Sequence, residues 1–399
     1  MGTPWSGSEV IDRWSARYTV LALCLLAYFS VRFSQVIIGP LVPLIREEFA
    51  VSHGRIGVAL TGMWIAYALS QLPSGVSADR FGEYRVVLTA LGITIAAALL
   101  LAASPTFPVF AVAVIALGVG AGSYYNPATA LLARTFDAVG GAIGTHRIGG
   151  QIAGGIAPIV AAAVGVRYGW RSAFALGAAL AVVAGGLFLW RRPTHEPAHP
   201  DASLAELFSV RTLLEIVRRP RNRNTTFMMT LVNFVDLAAM AFLPAFLVAR
   251  YGFSVGSASL LFGLFFATSA AFQPIGGRLS DRIGPDSTLT VLASAGFSGY
   301  AVLVVGNALP AALVGVVLAG AALSATPVLQ ARMMDSLRAT NRGKGFGVFR
   351  TLYLLVGSVG TAIVGTAGDA VGWAAAFGFL GSLWGIVLLS VVSIRIVQR

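Results

Sequence analysis

Residues 75–82 read Gly75-Val76-Ser77-Ala78-Asp79-Arg80-Phe81-Gly82, and residues 277–284 read Gly277-Arg278-Leu279-Ser280-Asp281-Arg282-Ile283-Gly284, an offset of 202. Working outward, Gly144, Arg147, Gly154, Gly165, Gly169, Trp170, Ala173 and Phe174 recur as Gly347, Arg350, Gly357, Gly368, Gly372, Trp373, Ala376 and Phe377, at a constant offset of 203. The Ala133-Arg134 and Asp137 signature returns as Ala331-Arg332 and Asp335. Glycine matches by chance in a glycine-rich chain, but a shared spacing that includes Arg, Trp, Asp and Phe does not. The chain is therefore read as a tandem duplication, with one copy over 1–190, a linker over 191–223 and the second copy over 224–399.

What is duplicated is a set of apolar helices. Of 399 residues 57% are hydrophobic and 11% charged, with a mean hydropathy of +0.80, a composition that leaves no soluble surface to build. A spanning helix takes about 20 residues. Apolar runs of that length fall near 18–40, 56–77, 86–103, 108–133, 143–165 and 173–190, and then near 224–249, 255–277, 287–306, 309–331, 345–367 and 372–394. The fold class expected is an all-α membrane protein of twelve transmembrane helices, arranged as two pseudo-symmetric six-helix bundles.

The formal charge of +12 comes from cations scattered between apolar runs, not from a continuous basic face, and nucleic acid is not an expected partner. The cations serve as topology signals. With the N-terminus on the linker side, that side carries 20 Lys and Arg, including seven arginines in the linker, against five on the other. Both termini are expected in the cytoplasm, with the protein multi-pass in the cell membrane and monomeric. The first apolar run is long and lacks a small-residue cleavage site, so it reads as a first span and not a removed signal peptide. In the linker, Leu204, Leu207, Phe208, Leu214 and Val217 recur at helical spacing, which suits a short helix on the membrane surface or a solvated one. Cys24 is the single cysteine and excludes a disulfide framework.

Two parallel six-span halves joined by a cytoplasmic linker resemble the major facilitator superfamily of secondary transporters, and the Gly-x-x-x-Asp-Arg-x-Gly turn resembles that family's signature between spans 2 and 3. Glycine suits a close helix approach at a tight turn, and a carboxylate is favoured beside a helix N-terminus. The resemblance implies a cytoplasmic latch made of Gly75, Asp79, Arg80 and Gly82 with Gly277, Asp281, Arg282 and Gly284. Drug and proton antiporters of this superfamily carry an arginine in span 4 where Val114 precedes Gly118-Val119-Gly120 here. Gly150, Gly154 and Pro158 of span 5 loosely match the antiporters' glycine and proline motif.

A carrier of this kind needs polar groups at mid-bilayer where its halves meet. Four ionisable residues other than histidine fall within spans: Arg32, Arg147, Asp236 and Arg350. Each costs about 2.5–3.5 kcal/mol on insertion scales and must face a partner, a cavity or a substrate. Arg32 shares a face with Gln35 in span 1, as Asn233 does with Asp236 in span 7. At nearly equivalent depths, Arg32 and Asp236 are expected to pair when the site is empty, and Asp236 is the proton-coupling candidate. Arg147 with Gln151, and Arg350 with Tyr353, enter from the cytoplasmic end and suit gating or binding; the first pair is placed with the gate and the second with the substrate. Tyr124, Tyr125 and Asn126 beside Pro127 in span 4 complete the substrate-binding set, and Pro327 in span 10 lies at a similar depth.

Three intramembrane arginines against one aspartate favour a small organic anion, moved with a proton or in exchange for another anion. The alternatives are proton-coupled efflux of amphiphilic drug-like compounds and, in a different class, a transport-inactive sensor of the same fold. His53, His146, His195 and His199 show no metal-ligand spacing, no carboxylate accompanies Asp236, and no phosphate-binding Gly-x-x-x-x-Gly-Lys motif occurs, so neither an enzyme, a metal nor a cofactor is expected.

Overall fold

The computed structural model describes the backbone of residues 7–191, 197, 220–337 and 342–398, with side chains over 17–191, 197, 222–337 and 345–393. The proposed surface helix over 204–217 lies outside the described residues. Twelve helices are long and apolar enough to cross a bilayer: Arg17–Phe49, His53–Phe81, Glu83–Ala103, Phe107–Thr135, Val139–Tyr168 and Trp170–Arg191, then Asn222–Tyr251, Val255–Ile283, Pro285–Val305, Leu309–Ser336, Gly345–Ala370 and Trp373–Ser393. They are called spans 1 to 12. The chain folds into two six-helix halves. The end of the bundle that carries the linker is the linker end, and the opposite one is the far end.

The duplication reappears as backbone geometry. Gly82 and Gly284 close spans 2 and 8 at φ of 89° and 84°, and Gly169 and Gly372 open spans 6 and 12 at 83° and 88°. A Cβ at these four turns would strain the backbone, which is why glycine is kept in both copies. Ser52 and Ser254 cap spans 2 and 8 in the same way, accepting from the amides of Arg55 and Ser257. Two broken spans depart from simple helices. Span 1 is interrupted at Ile37 ahead of Pro40, and span 10 at Leu323 and Ser324 ahead of Pro327, whereas Pro127 sits inside a continuous helix.

Span 5 shows how a helix is divided between lipid and protein. Ile148, Ile152, Ile156 and Ile159 form an exposed apolar stripe, while Gly149, Ala153, Gly154 and Ala157 are buried. Gly149 and Gly150 let span 1 approach at Leu25 and Tyr28, and Gly154 admits Phe266 of span 8, whose ring would stand 2.9 Å from a Cβ there.

The two halves are hydrogen-bonded to each other at the far end. The Thr61 hydroxyl of span 2 lies 2.7 Å from that of Thr361 in span 11, donates to the Ser358 carbonyl at 3.0 Å and accepts the Ala362 amide at 3.2 Å. Thr361 in turn reaches the Gly57 carbonyl at 3.0 Å. Asp369 finishes the zipper, taking His53 Nδ1 at 2.7 Å and the Gly54 amide at 2.8 Å. Among the described residues, every hydrogen bond between the halves belongs to this zipper.

Candidate functional site

Below the zipper, toward the linker end, side chains from six spans gather around Arg350. Its guanidinium lies 5.1 Å from the ring centroid of Tyr125 in the other half, a cation–π contact across the seam. Tyr67, Tyr353, Tyr125 and Tyr28 are all within its electrostatic reach. Tyr28 stands 5.6 Å from Tyr125, and Arg32 and Arg147 bear on it electrostatically in turn. The Tyr353 hydroxyl accepts from Gln330 of span 10 at 3.1 Å. Arg32 donates to Gln35 Oε1 at 2.9 Å, one helical turn along its own span. Two buried polar atoms in this cluster, Arg350 Nε and Gln35 Nε2, have no protein partner, and an unpartnered buried donor is costly unless a ligand meets it.

The expected Arg32–Asp236 pair does not form. Asp236 turns into its own half, accepting from the Thr326 hydroxyl of span 10 at 3.3 Å and lying within electrostatic reach of Tyr300 in span 9. Asn233 packs on span 11, filling the space beside Gly357. Equal depth did not bring the two charges together because depth leaves the rotation of each helix about its axis undetermined, and packing against spans 10 and 11 sets it.

Span 4 also divides its expected residues. Tyr125 belongs to the cluster, but Tyr124 is fully buried within the first half and donates to the Cys24 carbonyl at 2.6 Å. Asn126 donates to the Gln71 carbonyl at 2.7 Å. Tyr124 is thus a structural tie between spans 1 and 4. Tyr124→Phe is expected to cost about 1–2 kcal/mol of stability, the net worth of the hydroxyl's hydrogen bonds to the Cys24 carbonyl and His146 Nε2, and to leave ligand binding unchanged; thermal unfolding and a binding isotherm on the same preparation check both.

At the linker end the latch residues are arranged differently from expectation. A Cβ on Gly75 or Gly277 would meet nothing within 4 Å, so neither mediates a close approach; Gly82 and Gly284 are where the turn demands glycine. Asp79 is half-buried while Arg80, Asp281 and Arg282 are exposed, and among the described residues neither aspartate forms an ion pair. The ion pairs lie four or five residues on, Glu83–Arg134 at 2.9 Å and Asp286–Arg332 at 2.6 Å. Glu83 and Asp286 stand in the first turns of spans 3 and 9, where the helix dipole favours a carboxylate; Asp79 and Asp281 stand in last turns, where it does not. Arg147 is exposed and Gln151 half-buried beside it, on the approach to Tyr28.

Sequence reasoning missed Tyr28, Tyr67, His146, Gln330 and the far-end zipper. Tyr28 had a signal, since it lies four residues before Arg32 on the same helical face. His146 is fully buried, with its ring 4.7 Å from Tyr28 and Nε2 3.2 Å from the Tyr124 hydroxyl. Outside the zipper a hollow of about 970 Å³ opens at the far end, lined by Arg46, Glu47, His53, Asp369 and Trp373 among others.

A family model described as Major Facilitator Superfamily matches residues 24–255 and again 225–398. The probable sulfoacetate transporter SauU of Cupriavidus necator is 26% identical over 286 residues, covering 68% of this chain and 66% of that protein, just under two thirds of its length. The multidrug resistance protein MdtL of Klebsiella pneumoniae is 26% identical over 58% of each chain. Among solved structures, the nucleoside transporter NupG superposes with a TM-score of 0.80 over 95% of this chain and 99% of that one at 13% identity, a likeness of fold.

Proposed function

Because this chain belongs to the major facilitator superfamily, we propose that it carries a small organic anion across the membrane by alternating access to one central site, coupled to a proton. The observation that carries this reading is Arg350, whose buried Nε lacks a protein partner while its guanidinium stacks on Tyr125 of the opposite half. A fixed cation between two moving halves is a receptor for a carboxylate or sulfonate, and guanidinium offers a planar fork for either. Tyr67, Tyr125, Tyr353, Arg32 and Gln35 complete the binding set. A relative named for sulfoacetate supports an anionic cargo.

The zipper holds the far end closed. With arginines crowded at the linker end, that end faces the cytoplasm in this reading, and the protein works as a monomer whose halves span 1–190 and 224–399, with the linker and both termini inside the cell. Asp79, Arg80, Asp281 and Arg282 engage when the linker end closes. Amphiphile efflux is the weaker reading, because the intramembrane carboxylate it would use for a cationic drug faces Thr326 and not the seam.

Asp236 is the proton carrier in this scheme: a mid-span carboxyl, hydrogen-bonded by one hydroxyl, whose charge changes by taking up or releasing a proton. Asp236→Asn is expected to abolish accumulation of anion driven by a pH gradient in proteoliposomes while keeping anion exchange at equal pH. Unchanged pH-driven accumulation in that variant removes Asp236 from the coupling role. Failure of the unmodified protein to move any organic anion in either assay overturns the carrier reading itself.

A further inference from the structure

Arg350 of the second half lies 5.1 Å from the Tyr125 ring, and Tyr125 stands 5.6 Å from Tyr28, one helical turn before Arg32 in span 1. Arg32 and Arg147 of the first half bear on Tyr28, and Arg350 bears on Tyr28 and Tyr125. None of the three is in an ion pair among the described residues. The hydrogen bond of Arg32 goes to a neutral amide oxygen, and Asp236 is turned away. Arg147 is exposed and shares its charge with water; Arg32 and Arg350 are half-buried on opposite sides of the seam.

Like charges on two facing walls repel when the walls close and water leaves, because the interaction grows as the local dielectric falls. A guest with a single negative charge offsets one wall and leaves the other uncompensated. A guest with two offsets both, and its second head also finds the unpartnered Gln35 Nε2 beside Arg32. We infer that the cargo is a small dianion whose two anionic heads are divided between the halves, one on Arg350 and the other on Arg32 and Gln35. This rests on the anion-carrier reading above. Such a guest bridges the seam and stabilises the closed state that a monoanion cannot.

The test uses the purified full-length protein at fixed ionic strength and pH 7.5, with acetate, succinate, sulfoacetate and neutral succinamide as probes in isothermal titration. Succinate and sulfoacetate are expected to bind at least about tenfold more tightly than acetate, the worth of one further charge-assisted contact, and succinamide not measurably. Arg32→Gln and Arg350→Gln should each weaken succinate and sulfoacetate by at least about tenfold, and weaken acetate by a smaller factor, because a dianion loses one of the two seats it fills at once. The ratio on unmodified protein stands even if a variant does not fold. Equal binding of acetate and the dianions overturns the dianion inference and leaves the anion carrier in place. Binding of tetraphenylphosphonium with none of the anions overturns both.

Discussion

A leucine at position 57 will leave the protein folded but unable to close its far end, and transport will fall by on the order of 100-fold or more. Gly57 of span 2 faces the main chain of span 11, where a Cβ would stand 2.9 Å from the Thr361 carbonyl carbon and 3.0 Å from Ala362 Cα. Backbone cannot rotate aside as a side chain does, so the helices must separate. Separation breaks the hydrogen bonds of Thr61, Thr361 and Asp369 across the seam, each worth about 1 kcal/mol net. Reversing a 99:1 preference takes about 5.5 kcal/mol, which the sum of these losses and the steric clash reaches. Within its own helix leucine is a better former than glycine by roughly 1 kcal/mol, so the fold is spared. The measurement is the distance between spin labels on spans 2 and 11 at the far end. Cys24 is buried and is the single native cysteine, which makes a Cys24→Ser background convenient. A distance unchanged from the parent would mean that the interface has room the structure does not show.

Arg350→Ala is expected to weaken anion binding on the order of 100-fold, the loss of a two-pronged charge-assisted contact, and yet to hold or raise thermal stability in the absence of ligand. The signs oppose each other for a physical reason. A guanidinium at this depth costs about 2.5–3.5 kcal/mol on insertion scales, and among the described residues no carboxylate pairs with it, so the empty protein gains by its removal. A residue kept for packing or for an internal ion pair would show both quantities falling together, and that outcome would remove Arg350 from the binding site. Unfolding in detergent without ligand and titration with succinate supply the two readings.

The tyrosines divide along the same logic. Tyr125 and Tyr353 are repeat-independent members of the seam cluster, one beneath Arg350 and one held by Gln330. Tyr124, adjacent in sequence to Tyr125, is rotated by one residue's worth of helix, roughly 100°, and so ties spans 1 and 4 instead. Likewise the acidic residues that pair at the linker end are Glu83 and Asp286, at helix starts, and not the Asp79 and Asp281 of the signature.

The amino-acid sequence by itself determined the number of spans, the duplication and the depth of each intramembrane charge. Those properties are one-dimensional: bilayer thickness sets the length of an apolar run, lipid penalises a charge more the nearer it sits to the bilayer centre, and a positive-φ turn requires glycine in each copy. Tertiary structure alone decided the rotation of each helix about that axis, and with it the partners. It turned Asp236 from Arg32 to Thr326, sent Tyr124 inward and Tyr125 to the seam, and brought His53 and Asp369 together from spans 316 residues apart in the chain. In lipid there is no hydrophobic force to orient one helix face against another, so rotation follows from which small residues permit close approach and which polar pairs meet, and neither is written in the periodicity of any single span.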